Sequence, residues 1–320
     1  MSALLEAQGL TKTFGNGVRA VSSVNLAVDA GETLGIVGES GCGKSTTAKM
    51  LLRLLDADEG GIYFDGAEVT HAKGKALKNL RKRLQVVPQN PQTSLNPRVT
   101  VRSSLEFAMR VQGYQRGARA KRIPELLSRV GLDPSYAERY PHQMSGGQLQ
   151  RVAIARALST EPDVVICDEA VSALDKSVQA QVLNLLVELQ RDLKVAYVFI
   201  SHDLGVVEHF ADRVAVMYLG RVVEEAGAAE LWANPKHPYT QTLISSTPGR
   251  ADKRMVLTGE LPNPANPPSG CGFRTRCPVV VDQCASTWPA LNVVGRKHFV
   301  SCVHHLDVAK PPEEEVARAS

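Results

Sequence analysis

Gly38-Glu39-Ser40-Gly41-Cys42-Gly43-Lys44-Ser45-Thr46 sets a glycine, four free positions and then Gly-Lys-Ser in a row. Glycines let the backbone turn tightly and approach an anion closely, so that successive N–H groups converge on a pyrophosphate. At this spacing Lys44 would reach β- and γ-phosphates as a point charge, and the Ser45 hydroxyl would ligate Mg²⁺. A short pattern of this kind needs the right surroundings. Thr33-Leu34-Gly35-Ile36-Val37 precedes it as an apolar run of strand character, and Thr46 to Leu55 follows without a helix breaker. Strand, glycine loop and helix N-terminus together make an anion site, and the reading is a nucleotide site.

Further chemistry lies downstream. Val164-Val165-Ile166-Cys167-Asp168-Glu169 is an apolar strand that ends in two acids. At the carboxyl end of a parallel strand, Asp168 would hold the Mg²⁺ hydration shell and Glu169 would orient and polarise an attacking water. Val195 to Ile200 is a second buried run, and it delivers Ser201-His202-Asp203 to the same edge. His202 there could contact a γ-phosphate; alone it would read as a structural histidine. Met144-Ser145-Gly146-Gly147-Gln148 precedes the helical run Leu149 to Leu158, a second loop able to offer N–H groups to an anion. Ser172-Ala173-Leu174-Asp175 introduces an amphipathic helix carrying Val178, Val182, Leu185, Leu186 and Leu189 on one face.

The elements that must hold these groups are legible around them. Leu4–Gln8, Val21–Val28, Gly61–Gly66 and Leu84–Gln89 read as short strands. Phe14, beside glycines between the first two, could stack on an adenine or serve as a hydrophobic staple. The six basic residues from Lys73 to Arg83 lack interleaved aromatics and suit a solvated helix face. Asn90 to Pro97 has the look of a jointed loop, and Val101 to Gly131 is helical with a break at Gly113 to Gly117.

Composition sets limits. The chain has 320 residues, 43% hydrophobic and 22% charged, room for one large domain and a smaller one. A net charge of +4 argues against a nucleic-acid protein. No run approaches the ~18 apolar residues of a membrane span. The first residues lack a basic start and an apolar core, so a cytoplasmic chain is expected. Of six cysteines, Cys42 and Cys167 sit within the nucleotide motifs, and four crowd into the last fifth of the chain.

The phosphate loop, Gln89 after its strand, Ser145-Gly146-Gly147-Gln148, the acidic strand end, the Ser172-Ala173-Leu174-Asp175 loop and His202 occur in this order. Together they resemble the ATP-binding-cassette (ABC) ATPases over about residues 4 to 230. The resemblance implies an α/β fold: a P-loop NTPase nucleotide-binding domain with a RecA-like core sheet, an antiparallel β subdomain and a helical subdomain at about 95–160. It makes Phe14 the adenine-stacking aromatic, and Gln89 a Mg²⁺ ligand and sensor coupled to membrane subunits. Ser145 to Gln148 would act on a partner's ATP, with Ser172 to Asp175 as the loop beside it. Catalysis would fall to Glu169, His202 and Gln89. Ala170 stands where the family usually has proline and Met144 where leucine is common, and neither removes a catalytic group.

From Leu231 the composition turns proline-rich, which suggests an irregular, extended path to about residue 310. His237-Pro238-Tyr239, Gly259-Glu260-Leu261-Pro262, Arg276-Cys277-Pro278 and Cys271, Cys277, Cys284 and Cys302 resemble the carboxyl-terminal extension of dipeptide and oligopeptide importer ATPases. Val171 to Asp175 and Gln179 to Leu183 point further, to the second ATPase subunit of a dipeptide-type importer. Nickel importers share most of this text. The four cysteines are separated by five, six and seventeen residues. Disulfides fit a reducing compartment poorly, and zinc loops use tighter pairs. A cubane takes Cys₄ ligands from separated loops, and the resemblance points the same way, so a [4Fe–4S] cluster is expected with zinc as the alternative. His298, His304 and His305 are read as surface residues, and 311–320 as a disordered tail.

The resemblance thus implies an ATPase that uses ATP and Mg²⁺ to energise import of di- or oligopeptides from the cytoplasmic face of the membrane. It implies a paralogous ATPase partner, two transmembrane permease subunits and an external peptide-binding protein, with no nucleic acid. A nickel or small-solute importer is the near alternative. A soluble cassette protein acting on ribosomes or DNA would bring a second cassette or a long coiled-coil insert, and neither is present. An iron–sulfur regulator would have a damaged Glu169 or His202, and both are intact.

Overall fold

The computed structural model describes residues 3–15, 17–247 and 259–306, so the expected tail at 311–320 lies outside the described residues. β1 (Leu5–Thr13) and β2 (Arg19–Val28) open the chain as an antiparallel pair. β3 (Thr33–Val37) is five residues long and wholly buried, as its unbroken apolar run demands. α1 (Lys44–Leu51) follows, and then β4 (Glu59–Phe64) and β5 (Ala67–Glu68) return to β1 to complete a small sheet of order β2-β1-β4-β5. α2 (Gly74–Arg83) buries only Leu80, so its basic residues do form a solvated face.

β6 (Leu84–Val87) leads into a helical lobe: α3 (Pro91–Ser94), α4 (Val101–Val111), α5 (Arg116–Arg129) and α6 (Gly146–Leu158). The break between α4 and α5 falls where Gly113 takes a left-handed turn, φ +91°. α6 buries residues around most of its circumference, because it lies between the lobe and the sheet. β7 (Val164–Asp168), α7 (Lys176–Leu193), β8 (Ala196–Ser201) and α8 (Leu204–Phe210) continue the parallel layer. α7 is capped by Asp175, whose carboxylate accepts the Val178 N–H at 2.9 Å, and it lays Val182, Leu185, Leu186 and Leu189 on the core. β9 (Arg213–Tyr218) and β10 (Arg221–Gly227) follow. Arg213 bonds Glu32 at 2.8 Å and Glu225 at 2.6 Å and reaches the Ala27 carbonyl, fastening β2 to the larger sheet.

The carboxyl-terminal segment is largely irregular, as expected, and carries a few short regular elements. α9 (Ala228–Ala233) runs across residue 230, and α10 (Pro238–Ser245) is opened by its proline rather than blocked by it. Proline at the first helical position gives up an N–H that has no partner there anyway. β11 (Asn292–Gly295) and β12 (His298–Val300) then join the main sheet, with Glu224 paired to Val300 and Glu225 to Phe299. The sheet therefore has eight strands, in the order β11-β12-β10-β9-β3-β8-β7-β6. His298 is also not a surface residue: it is 1% exposed and meets the buried Glu224 carboxylate at 2.7 Å. His304 is exposed and bonds the Val279 carbonyl, and His305 is half-buried.

Ile36, the fourth residue of β3, has no exposed surface. We expect Ile36→Ala to lower stability by about 2–5 kcal/mol, measured by urea unfolding. A loss under about 1 kcal/mol would mean that β3 is not tightly packed between its neighbours.

Candidate functional site

Register brings the candidate residues to one edge. In the parallel pairs Val37 lies opposite Ser201, and Asp168 opposite Ile200. The loops after β3, β7 and β8 therefore leave the sheet side by side, carrying Gly38–Thr46, Asp168-Glu169 and His202. This carboxyl edge is where open α/β sheets hold ligands.

The phosphate loop is tightly seated. Gly43 starts α1 at φ +107°, and a Cβ there would lie 2.3 Å from the Ala20 carbonyl, so only glycine fits. Lys44 is buried, and its ammonium is held by the carbonyls of Gly38 (2.8 Å) and Glu39 (2.9 Å), with the Cys42 sulfur at 3.8 Å. Burial pushes the Cys42 thiol up. The Ser45 hydroxyl donates to Asp168 Oδ1 at 2.9 Å. Burial pushes the Asp168 carboxyl up, and the Ser45 bond partly opposes it. Ser45, Asp168 and Gln89 are oxygen-bearing side chains of the kind a hard cation takes, so this donor set fits Mg²⁺.

Three of the expected catalytic residues meet at one atom. Glu169 Oε2 accepts a bond from Gln89 Nε2 at 2.7 Å and lies 3.4 Å from His202 Nδ1. Glu169 itself has left-handed backbone, φ +48°, which is unfavourable for a residue with a Cβ. Local bonds hold it there: its N–H donates to Ile200 O at 3.0 Å, while Ser172 donates to Glu169 O through both N–H and hydroxyl. The strained turn at the end of β7 leaves the carboxylate within reach of Gln89 and His202.

The Ser145 loop forms a reciprocal cap: Gln148 N–H donates to the Ser145 hydroxyl at 3.3 Å, and Ser145 N–H to Gln148 Oε1 at 3.0 Å. Gln148 Nε2 donates to Tyr136, and a Cβ on Gly147 would meet Val178 at 2.5 Å. The contacts of this loop thus stay within its own lobe and α7. Ser172, Ala173, Leu174 and Asp175 form the turn between Glu169 and α7, and Phe14 is exposed.

The four clustered cysteines are free thiols. They lie within electrostatic reach of one another: burial pushes Cys302 up to about 11, and charge on Cys271, Cys277 and Cys284 adds to the rise. Cys271 and Cys277 are likewise raised, mainly by burial. Among the described residues, however, no three His, Cys, Asp or Glu side chains stand as a ready site for a metal ion. Cys271, Cys277, Cys284 and Cys302 are gathered in one region as free thiols.

Sequence reasoning missed the partners of Glu39. Arg276 clasps its carboxylate with two bonds, of 2.7 and 2.9 Å, and the Tyr239 hydroxyl accepts its N–H at 2.9 Å. Both partners lie in stretches noticed for their resemblance, but nothing in their spacing ties them to the phosphate loop.

Fold and site define an ABC-type ATPase. A family model described as ABC transporter matches residues 21–172, and one described as Oligopeptide/dipeptide transporter, C-terminal region, matches 223–284. The oligopeptide transport ATP-binding protein AppF of Bacillus subtilis is 50% identical over 89% of this chain and 89% of its own. The probable peptide ABC transporter ATP-binding protein y4tS of Sinorhizobium fredii is 49% identical, over 89% of this chain and 82% of its own. Among solved structures, cbiO1 from Clostridium perfringens, part of the ABC transporter complex cbiONQ, aligns with TM-score 0.67 and 29% identity, covering 73% of this chain and 92% of that one. The dimeric cassette MJ0796, bound to ADP and Pi in a post-hydrolysis state, aligns with TM-score 0.64 and 31% identity, covering 70% of this chain and 98% of that one. The chain belongs to the family of ABC transporter ATP-binding proteins named for oligopeptide and peptide transport. No helix among the described residues is long and apolar enough to cross a membrane.

The strain at Glu169 is measurable. We expect Glu169→Gly to unfold at higher urea than Glu169→Ala, by about 1 kcal/mol, because glycine accepts positive φ freely. Equal midpoints would mean that the turn holds no strain.

Proposed function

We propose that this chain is the ATP-hydrolysing subunit of a multi-subunit importer of di- and oligopeptides, working on the cytoplasmic face of the membrane. One observation carries the ATPase half of the reading, namely the meeting of Gln89, His202 and Glu169 beside the phosphate loop. The solute class is supported by the names of the relatives and by the matched carboxyl-terminal region.

In this reading Gly38, Glu39, Ser40, Gly41, Cys42, Gly43 and Thr46 form the loop that wraps the phosphates with its free backbone N–H groups, while the Glu39 N–H stays on Tyr239 and orders the peptide planes beside it. Lys44 exchanges its loop carbonyls for phosphate oxygens. Ser45, Gln89 and Asp168 hold Mg²⁺, which when bound neutralises charge on the phosphates. Glu169 orients the attacking water and takes its proton, and His202 contacts the γ-phosphate as the water attacks in line. Phe14 stacks on the adenine. Ser145, Gly146, Gly147 and Gln148 close on the ATP of a paralogous ATPase, with Ser172 to Asp175 beside that contact. Two permease subunits and an external peptide-binding protein complete the complex.

The four cysteines hold a [4Fe–4S] cluster in this reading, with zinc as the rival. Its support is the gathering of four free thiols in a segment with little core of its own, where a metal staple stabilises most.

Glu169→Gln should keep ATP binding, lose hydrolysis by about a hundredfold or more, and accumulate ATP-dependent pairs with the partner ATPase on a sizing column. Turnover within a few-fold of the unchanged protein would remove Glu169 from the role of base. Lys44→Ala should weaken ATP binding itself, checked by titration. Protein purified without oxygen should be brown, carry about four irons per chain, and lose its colour when any of Cys271, Cys277, Cys284 or Cys302 becomes serine. Stoichiometric zinc without iron would defeat the cluster but leave a four-thiolate site.

A further inference from the structure

The phosphate loop is not self-contained. Of its residues, Glu39 alone carries a negative charge, and its two anchors come from the far end of the chain. Arg276 lies 237 positions away in sequence and is 9% exposed; its guanidinium makes a two-pronged bond to the carboxylate and approaches the Tyr218 hydroxyl at 3.5 Å. Tyr239 is fully buried, its ring packed on Tyr218 (4.6 Å) and Phe273 (5.4 Å), so the oxygen that receives the Glu39 N–H cannot drift. A rigid aromatic platform thus holds one loop residue by its backbone and its side chain at once.

We propose that Arg276 and Tyr239 are positioning residues of the ATP site, fixing the charge and the shape that the phosphate loop presents to a triphosphate. The inference rests on the reading of Gly38–Thr46 as that site. Its logic is electrostatic and geometric. An unpaired Glu39 carboxylate would set a negative charge in the loop that receives about four more, and Arg276 cancels it with the bidentate geometry that a guanidinium alone supplies. Tyr239 fixes the Glu39 amide, so the peptide planes beside it enter binding already ordered, which lowers the entropy lost on binding. The Arg276 N–H is bonded to Phe273 O at 2.9 Å, which ties the turn that carries the guanidinium to the ring packed on Tyr239.

The test is titration of the full chain with N-methylanthraniloyl-ATP and Mg²⁺. Arg276→Met keeps apolar bulk and should weaken binding about tenfold at low salt, the order of one unit charge near a protein surface. The gap should narrow near 1 M salt, where screening acts over about 3 Å. Adding Glu39→Gln to Arg276→Met should restore most of the affinity, a rescue that a pair serving only to hold two parts together would not give. Tyr239→Phe removes one oxygen from a ring that stays packed, and should weaken binding about threefold at any salt; it carries the test if Arg276→Met does not fold. Unchanged affinity in Arg276→Met or in Tyr239→Phe, or a double variant as weak as Arg276→Met, overturns the inference. Lys44→Ala separates the two levels. Loss of binding there, with none in the Arg276 and Tyr239 variants, overturns this inference alone. No loss in any of them overturns the ATP-site reading and this inference with it.

Discussion

Parallel pairing of β3, β8 and β7 is the constraint on which the site depends. A slip of one residue between β7 and β8 would move Glu169 out of line with His202 and exchange the side chains that the strands present to the layers on either face. The strands resist such a slip because each is covered on both faces: all five residues of β3 and all six of β8 are buried. Three loops, the first more than a hundred residues before the other two in sequence, are thereby held at one edge.

Within that frame, the polar groups satisfy one another. Lys44 rests on loop carbonyls, Ser45 on Asp168, and Gln89 on Glu169. No charge is stranded in a half-dry cleft, which would be costly. Ligand binding then becomes an exchange of partners rather than the creation of new bonds, and the net gain is the difference between two sets of good contacts. Such an exchange allows release as well as capture, as a cyclic machine requires.

The sequence made this half of the molecule legible for physical reasons. Buried parallel strands read as unbroken apolar runs, and a residue at the end of such a run has only the ligand edge to face, so Asp168, Glu169 and His202 could be placed from Val164–Ile166 and Val195–Ile200. The helix break near Gly113 was visible for the same kind of local reason. The carboxyl-terminal third was not. Proline spacing suggested an irregular, extended path, which hid α10, where Pro238 sits at a position a helix tolerates, and β12, which at three residues is too short for any alternation to declare itself. His298 read as surface because its partner, Glu224, lies 74 positions upstream. The left-handed turn of Glu169 has no signature in residue type at all, since it is imposed by Ile200 and Ser172.

The segment after residue 230 shapes what can be removed from this protein. A fragment ending there would keep every motif that marks a nucleotide site and would pass inspection by sequence. Its β10 would present a bare edge where β12 now pairs, and open edges invite association with other chains. Tyr218 would lose both rings stacked against it, and Glu39 would keep its charge without a counterion. The change of composition near residue 230 falls within α9, so one helix carries the chain across it. Anyone grafting this motor onto another permease would have to carry the last third of the chain along with it.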